Sequence, residues 1–346
     1  MKRAPVKVLV YHGPNQLAVE DRPDPAPGTG EVLIDVIATG ICGSDLHGYT
    51  GENGRRVPGQ VMGHETVGRV SRIGADVVSP PSVGDIVTID PVIGCGTCPA
   101  CLDPADELCP NRRVIGVDPL IVAAFAEQIV VPSRNVVVLP KEMPVDLGAL
   151  VEPLSVGFRA ASRGDVTAGS AVLVIGGGPI GQAAALGARR LGGRVVVSEI
   201  SPSRAALVMR LGFAVVNPAE QDLAAAVEAT LGRRPDVVID AVALSSTLGQ
   251  ALAVSAPGAT VVLVGMGAPA VELDAYRIST EERTVIGSFC YTAEQFRSTA
   301  AWVADNASSL EPLIDGSVSL HAAPRAFADL ADGSSTASKI LVRLGG

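Results

Sequence analysis

The chain has 346 residues, 47% of them hydrophobic and 18% charged, which leaves room for two cores and excludes a disordered protein. Its net charge of −9 speaks against nucleic acid or an anionic membrane surface as partner. No apolar run approaches the ~20 residues of a spanning helix, and the basic start Met1-Lys2-Arg3 leads into a stretch too short and too charged for a signal-peptide core, so a cytoplasmic location is expected.

In chain order, Val6 to Val19 alternates and predicts a hairpin. A Pro/Gly connector at Pro23 to Gly28 leads to a half-buried strand over Glu31 to Ala38. Thr66 to Ile73, Asp85 to Ile89, Glu127 to Pro132 and Asn135 to Leu139 predict further short strands, the pattern of a barrel-like β unit. Leu147 to Ala161 is periodic at helical spacing. From Ala171 onward, continuous β-branched runs alternate with helices: strands at Val172–Ile175, Arg194–Val197, Ala214–Val216, Asp236–Val242, Ala259–Val264 and Thr284–Gly287, and helices at Ile180–Leu191, Ser203–Leu211 and Leu223–Leu231. Such alternation predicts a doubly wound parallel sheet covered on both faces. A helix over Ala293–Asp305 and a last strand over Lys339–Leu344 follow.

Three stretches carry chemistry. The first runs from Gly40 to Glu65 and holds Cys42, Ser44, Asp45, His47, His64 and Glu65, with two of the chain's four histidines. Thiolate, imidazole and carboxylate are zinc ligands, so Cys42, His64 and Glu65 can supply one each if a loop folds Cys42 back to His64. The bland alternative is a buried free cysteine beside a satisfied histidine. The second is Cys95, Cys98, Cys101 and Cys109, spaced C-x2-C-x2-C-x7-C. In a chain without a secretion signal this spacing points to metal before disulfide. Four thiolates close a tetrahedral zinc and staple a lobe poor in apolar residues; an iron–sulfur cluster is the competing reading.

The third is the turn Gly176-Gly177-Gly178-Pro179-Ile180-Gly181, in which Gly176, Gly178 and Gly181 fit G-x-G-x-x-G between a strand and a helix. The glycines let the backbone and the helix N-terminus approach a pyrophosphate. Glu199 closes the next strand, where an acid accepts the ribose hydroxyls of NAD and repels a 2′-phosphate. Arg204 lies where it can favour NADP, but the acidic strand end ranks NAD first.

On these residues the sequence resembles the zinc-containing medium-chain dehydrogenase/reductase family over essentially its whole length. The resemblance rests on Cys42-Gly43-Ser44-Asp45 with His47, on Gly63-His64-Glu65, on the four cysteines, on Glu152-Pro153-Leu154 and on the glycine turn. It is nearest the polyol branch of sorbitol, butanediol and threonine dehydrogenases. It implies a GroES-like catalytic domain over 1–151 with the structural zinc lobe at about 94–110, a Rossmann domain over 152–288, and a return to the catalytic domain over 289–346. It also implies catalytic zinc on Cys42 and His64 with Glu65 and Glu152 near the metal, the third and fourth ligands staying open. Activity would be hydride exchange between NAD(H) and a small-molecule secondary alcohol, diol or polyol and its ketone. Ser44 would take the alcohol proton and pass it through the nicotinamide ribose to His47. Asp45 would orient a ligand.

Where relatives carry a Gly-rich loop, this chain has the apolar run Asp118 to Glu127, and Cys290 takes the place of an arginine. Both point to a smaller or partly apolar substrate, with Tyr49 and Phe125 as pocket walls. A homodimer or homotetramer is implied, pairing strands near Ser288. The alternatives are an enzyme working mainly as a carbonyl reductase and a catalytically silent nucleotide binder.

Overall fold

In the computed structural model, residues 5–52 and 54–344 are described; the basic Met1-Lys2-Arg3 stretch lies outside them. The chain divides into two compact units, Met1–Glu152 with Thr292–Gly346, and Pro153–Tyr291.

The first unit opens with a hairpin, β1 (Val6–Gly13) and β2 (Gln16–Arg22), followed by β3 (Glu31–Gly40), helix α1 (Gly43–Thr50), β4 (Glu65–Ile73) and β5 (Ile86–Ile89). The small β6 (Val92–Ile93), α2 (Pro99–Leu102) and β7 (Arg113–Val114) frame the cysteine lobe, before β8 (Gln128–Pro132) and β9 (Val136–Val138). A tight 3₁₀ stretch, Val145–Leu150, then leads into α3 (Val151–Arg163). The single helix expected over 147–161 is therefore split, its first turns wound more tightly after Pro144.

The second unit repeats strand and helix: β10 (Ala171–Ile175), α4 (Pro179–Arg190), β11 (Arg194–Ser198), α5 (Pro202–Arg210), β12 (Ala214–Val216), α6 (Leu223–Leu231), β13 (Val237–Asp240), α7 (Ser245–Val254), β14 (Thr260–Leu263), α8 (Ala275–Thr280) and β15 (Thr284–Gly287). All five strand pairs are parallel and the order is β12-β11-β10-β13-β14-β15. Read from β10 as first strand, that is the 3-2-1-4-5-6 order of a dinucleotide-binding sheet. The five residues of β10 are all buried, as a strand covered on both faces requires.

The chain then returns to the first unit with α9 (Ala293–Asp305), α10 (Ala307–Leu310), β16 (Gly316–Ser319), α11 (Ala323–Ala331) and β17 (Ile340–Arg343). Its seven-stranded sheet runs β16-β17-β3-β4-β5-β9, with β8 also on β3. Alternation along β3 sends Val32, Ile34 and Val36 into one core with Val10, Val70, Ile129 and Phe327. The hairpin joins that core through bridges Val8 to Ala126 and Val10 to Val61.

Candidate functional site

The cysteine lobe is the simplest site. Its four ligand atoms lie within 4.8 Å of one another. Cys98 Sγ is 3.6 Å from Cys101 Sγ, and Cys95 Sγ is 4.0 Å from it. Tetrahedral zinc at 2.3 Å from each sulfur places sulfurs about 3.8 Å apart, so the lobe fits the ion as folded. All six cysteines are free, so no disulfide competes for these sulfurs. Backbone N–H groups of Thr97 and Cys98, with the Thr97 hydroxyl, lower the Cys95 thiol to about 6, which favours the thiolate a metal needs.

The second cluster is built by three elements. After Ile41, Gly43–Thr50 forms α1, with Cys42 at its N-cap and Gly51 closing it in the left-handed conformation at φ +83°. The Cys42 N–H donates to Asp45 Oδ2 at 3.2 Å. Gly63, at φ +100°, turns the chain just before β4, so that His64 and Glu65, the first residue of that strand, come beside Cys42; a side chain at Gly63 would meet the Phe125 backbone nitrogen at 2.8 Å. The ligand atoms of Cys42, His64 and Glu65 come within 4.8 Å of one another. Glu152, buried in the first turn of α3, lies outside that group, but its charge acts on His64.

Behind His64 sits Asp45, with no exposed surface. Its Oδ1 is 3.7 Å from His64 Nδ1, beyond hydrogen-bond distance, and neither atom has a hydrogen-bond partner. This leaves Nε2 as the nitrogen available to a metal. Burial pushes Asp45 up, opposed by His64 and Arg56. Burial by itself would lower His64, but Asp45 and the Cys42 sulfur outweigh it and hold the imidazole well above its ordinary range. A donor set with a thiolate, an imidazole and an orphaned nitrogen facing a carboxylate fits zinc with an orienting partner behind the ligand.

Two residues of this site escaped sequence reasoning. Lys339, just before β17, is buried and donates to Glu65 Oε1 at 2.6 Å, to Oε2, and to the Ile41 carbonyl at 3.2 Å. Burial opposes the Lys339 charge, but Glu65 prevails and the ammonium is held above its usual pKa. Glu65 is thus engaged by a cation as well as being near Cys42 and His64. Arg56, also buried, places its Nη2 3.9 Å from the same Asp45 Oδ1. Lys339 is marked in the sequence only as a single cation before an apolar strand, and Arg56 only as the second of the pair Arg55-Arg56 before Val57.

Ser44 and His47 lie three residues apart on α1, and so on one helix face. His47 is exposed, with Nδ1 2.8 Å from Glu52 Oε2. Tyr49 and Phe125 are not pocket walls. Both are buried, packed edge-on around Phe327 of α11 at centroid distances of 5.6 and 5.5 Å. Ala123 to Ala126 are buried with them, so this part of the apolar run belongs to the core. The sequence pattern could not separate an apolar wall from an apolar core without knowing that α11 comes back to this place.

In the second unit, Gly176 takes φ +94° and Gly178 caps α4, with Pro179 and Ile180 in its first turn. A Cβ at Gly181 would meet the Gly176 carbonyl oxygen at 1.8 Å, whereas one at Gly178 would meet nothing within 4 Å. The turn is closed on its inner side and open where a pyrophosphate would approach, so it fits a dinucleotide. Glu199 accepts from the N–H groups of Gly177 (2.7 Å), Ile200 (2.8 Å) and Ser201 (2.7 Å). Three of a carboxylate's about four acceptor positions are then filled, so the two ribose hydroxyls expected there find about one place. Arg204 is exposed in the first turn of α5.

Comparisons with known proteins agree with this picture. Residues 28–141 match the alcohol dehydrogenase GroES-like domain and residues 179–305 match the zinc-binding dehydrogenase family. A 2-dehydro-3-deoxy-L-galactonate 5-dehydrogenase of Pseudoalteromonas atlantica is 34% identical over 92% of both chains. Bovine (Bos taurus) sorbitol dehydrogenase is 32% identical, covering 92% of this chain and 91% of its own. A zinc-binding dehydrogenase of Sinorhizobium meliloti, solved bound to NADP, superposes with a TM-score of 0.90 at 30% identity, over 99% of this chain and 100% of that one. The chain belongs to the zinc-binding alcohol dehydrogenases of the medium-chain dehydrogenase/reductase family.

Proposed function

We propose that the protein oxidises a secondary alcohol, diol or polyol to its ketone, with NAD⁺ as hydride acceptor and one zinc in each of its two metal sites. The observation that carries this reading is the approach of Cys42, His64 and Glu65 to within 4.8 Å, with Asp45 behind His64. Zinc, when bound there, supplies Lewis-acid stabilisation of negative charge on a substrate oxygen. Cys42 and His64 hold it, with Glu65 and Glu152 as the neighbouring carboxylates. Ser44 takes the hydroxyl proton, and His47, one turn further along α1 and exposed, exchanges it with solvent. The four cysteines serve structure, since a closed tetrahedral site has no open position.

NAD is favoured over NADP because the buried Glu199 carboxylate stands beside the glycine turn and would repel a 2′-phosphate. The burial of Phe125 removes one of the two reasons for a short substrate, so polyols and sugar-derived alcohols stay within the class. Among the described residues no helix is long and apolar enough to cross a membrane. A cytoplasmic homodimer or homotetramer is our reading, joined through the edge strand β15 next to Ser288. Work in the reductive direction uses the same groups in reverse.

The test is metal content per chain, followed by NAD⁺ reduction against secondary alcohols, diols, polyols and threonine with and without chelator. Two zincs and chelator-sensitive turnover on one substrate class support the reading. One zinc and no turnover would leave a nucleotide binder with a structural lobe only. Ser44→Ala is expected to lower turnover far more than NAD affinity; an unchanged rate removes Ser44 from the proton path.

A further inference from the structure

Arg56 is an expensive residue to keep where it is. Its side chain is 2% exposed, and its Nε has no hydrogen-bond partner. A guanidinium taken out of water is destabilising unless opposite charge offsets it. Two acceptors stand near its Nη2: the Ser44 carbonyl at 3.5 Å and Asp45 Oδ1 at 3.9 Å. Asp45 Oδ1 is also the atom that faces His64 Nδ1. Asp45, with no exposed surface, therefore lies between two cationic or proton-bearing groups that share one oxygen, while its other oxygen accepts from the Cys42 N–H.

The chain makes room for this arrangement at a specific place. A Cβ on Gly48 would meet Arg56 Cγ at 2.7 Å and Nε at 2.9 Å, so the arginine stem lies in the volume that any other residue of α1 would fill at that position. Gly48 is buried in the last turn of α1, where glycine is less favourable than alanine. Glycine in the helix and a buried charge in the loop are two costs that explain each other.

We propose that Arg56 is a positioning residue of the metal site. Passing across Gly48, it supplies the second anchor of the Asp45 carboxylate and so fixes the orientation of His64. The proposal rests on the reading of Cys42 and His64 as metal ligands. Partners behind metal ligands typically change metal affinity by about 10- to 100-fold when removed.

The experiment follows release of the two metals to a zinc-binding dye, with the four-cysteine metal as internal control for folding. In R56M the Cys42–His64 metal is expected to leave at least about 10-fold faster, with the other metal retained as in the parent chain. R56K restores charge without the planar fork and is expected to recover part of the difference. G48A keeps the arginine but fills its path, and is expected to give the same selective loss. Parent-like release in R56M, or loss of both metals in R56M with parent-like release in G48A, overturns the role of Arg56. A parent chain that holds only the four-cysteine metal overturns the metal-site reading itself, and this proposal with it.

Discussion

Replacing Lys339 with methionine tests a buried charge pair of the metal site. The Lys339 and Glu65 side chains are 4% and 1% exposed, and the ammonium reaches both carboxylate oxygens and the Ile41 carbonyl. Removing one partner of such a pair strands the other, at a cost of about 3–5 kcal/mol. Little relaxation is open to Glu65, because Gly40 lies against it: a Cβ at Gly40 would meet Glu65 Oε2 at 2.1 Å. The double variant K339M/E65Q removes both charges and is expected to regain most of the loss, since an apolar or neutral replacement of a buried pair is often close to neutral. The chain's single tryptophan, Trp302, lies on α9 in the same unit, so its fluorescence in urea reports the unfolding of that unit. The measurement is best made on metal-stripped protein, so that metal binding does not mask the change. A K339M variant within about 1 kcal/mol of the parent, or a double variant as unstable as the single one, would refute the reasoning.

Three more outcomes are expected. Burial raises Asp90 to about 7, although the Val92 N–H opposes the shift. The unfolded chain ionises this acid near its ordinary 3.8 while the folded chain still holds the proton. Its stabilising contribution is thus complete below pH 4 or so and is lost as pH rises through about 7, up to about 4 kcal/mol. Asp90→Asn keeps the Oδ1 acceptor, and its melting temperature is expected to fall less between pH 5 and pH 8; an equal fall refutes the assignment. Gly181→Ala forces the turn open against the Gly176 carbonyl and is expected to weaken NADH binding about tenfold or more, equivalent to about 1.4 kcal/mol, with both metals retained. An unchanged dissociation constant in a fluorescence titration would contradict it. Phe327→Ala empties the space between Tyr49 and Phe125 and is expected to cost about 3–5 kcal/mol in the same urea assay, far more than an exposed aromatic would.

Much of this protein is legible in its sequence, and what is legible is local. The four cysteines close around one point within a single short lobe, so spacing states the ligand set. The glycine turn sits between adjacent strand and helix, and the β-branched runs from Ala171 to Gly287 state a parallel sheet because strands buried on both faces cannot alternate. The family follows from these pieces and holds. The tertiary structure decided what depends on distant segments meeting. Lys339 reaches Glu65 across 274 residues, and nothing in either neighbourhood marks the pair. Tyr49 and Phe125 read as walls until α11 brings Phe327 between them. Asp45, Arg56 and Gly48 have meaning only together, since a buried charge is tolerated only where another chain segment supplies its counter-charge. Periodicity records which residues leave water; it carries no record of which partner they meet, and in this chain the partners are what shape the site.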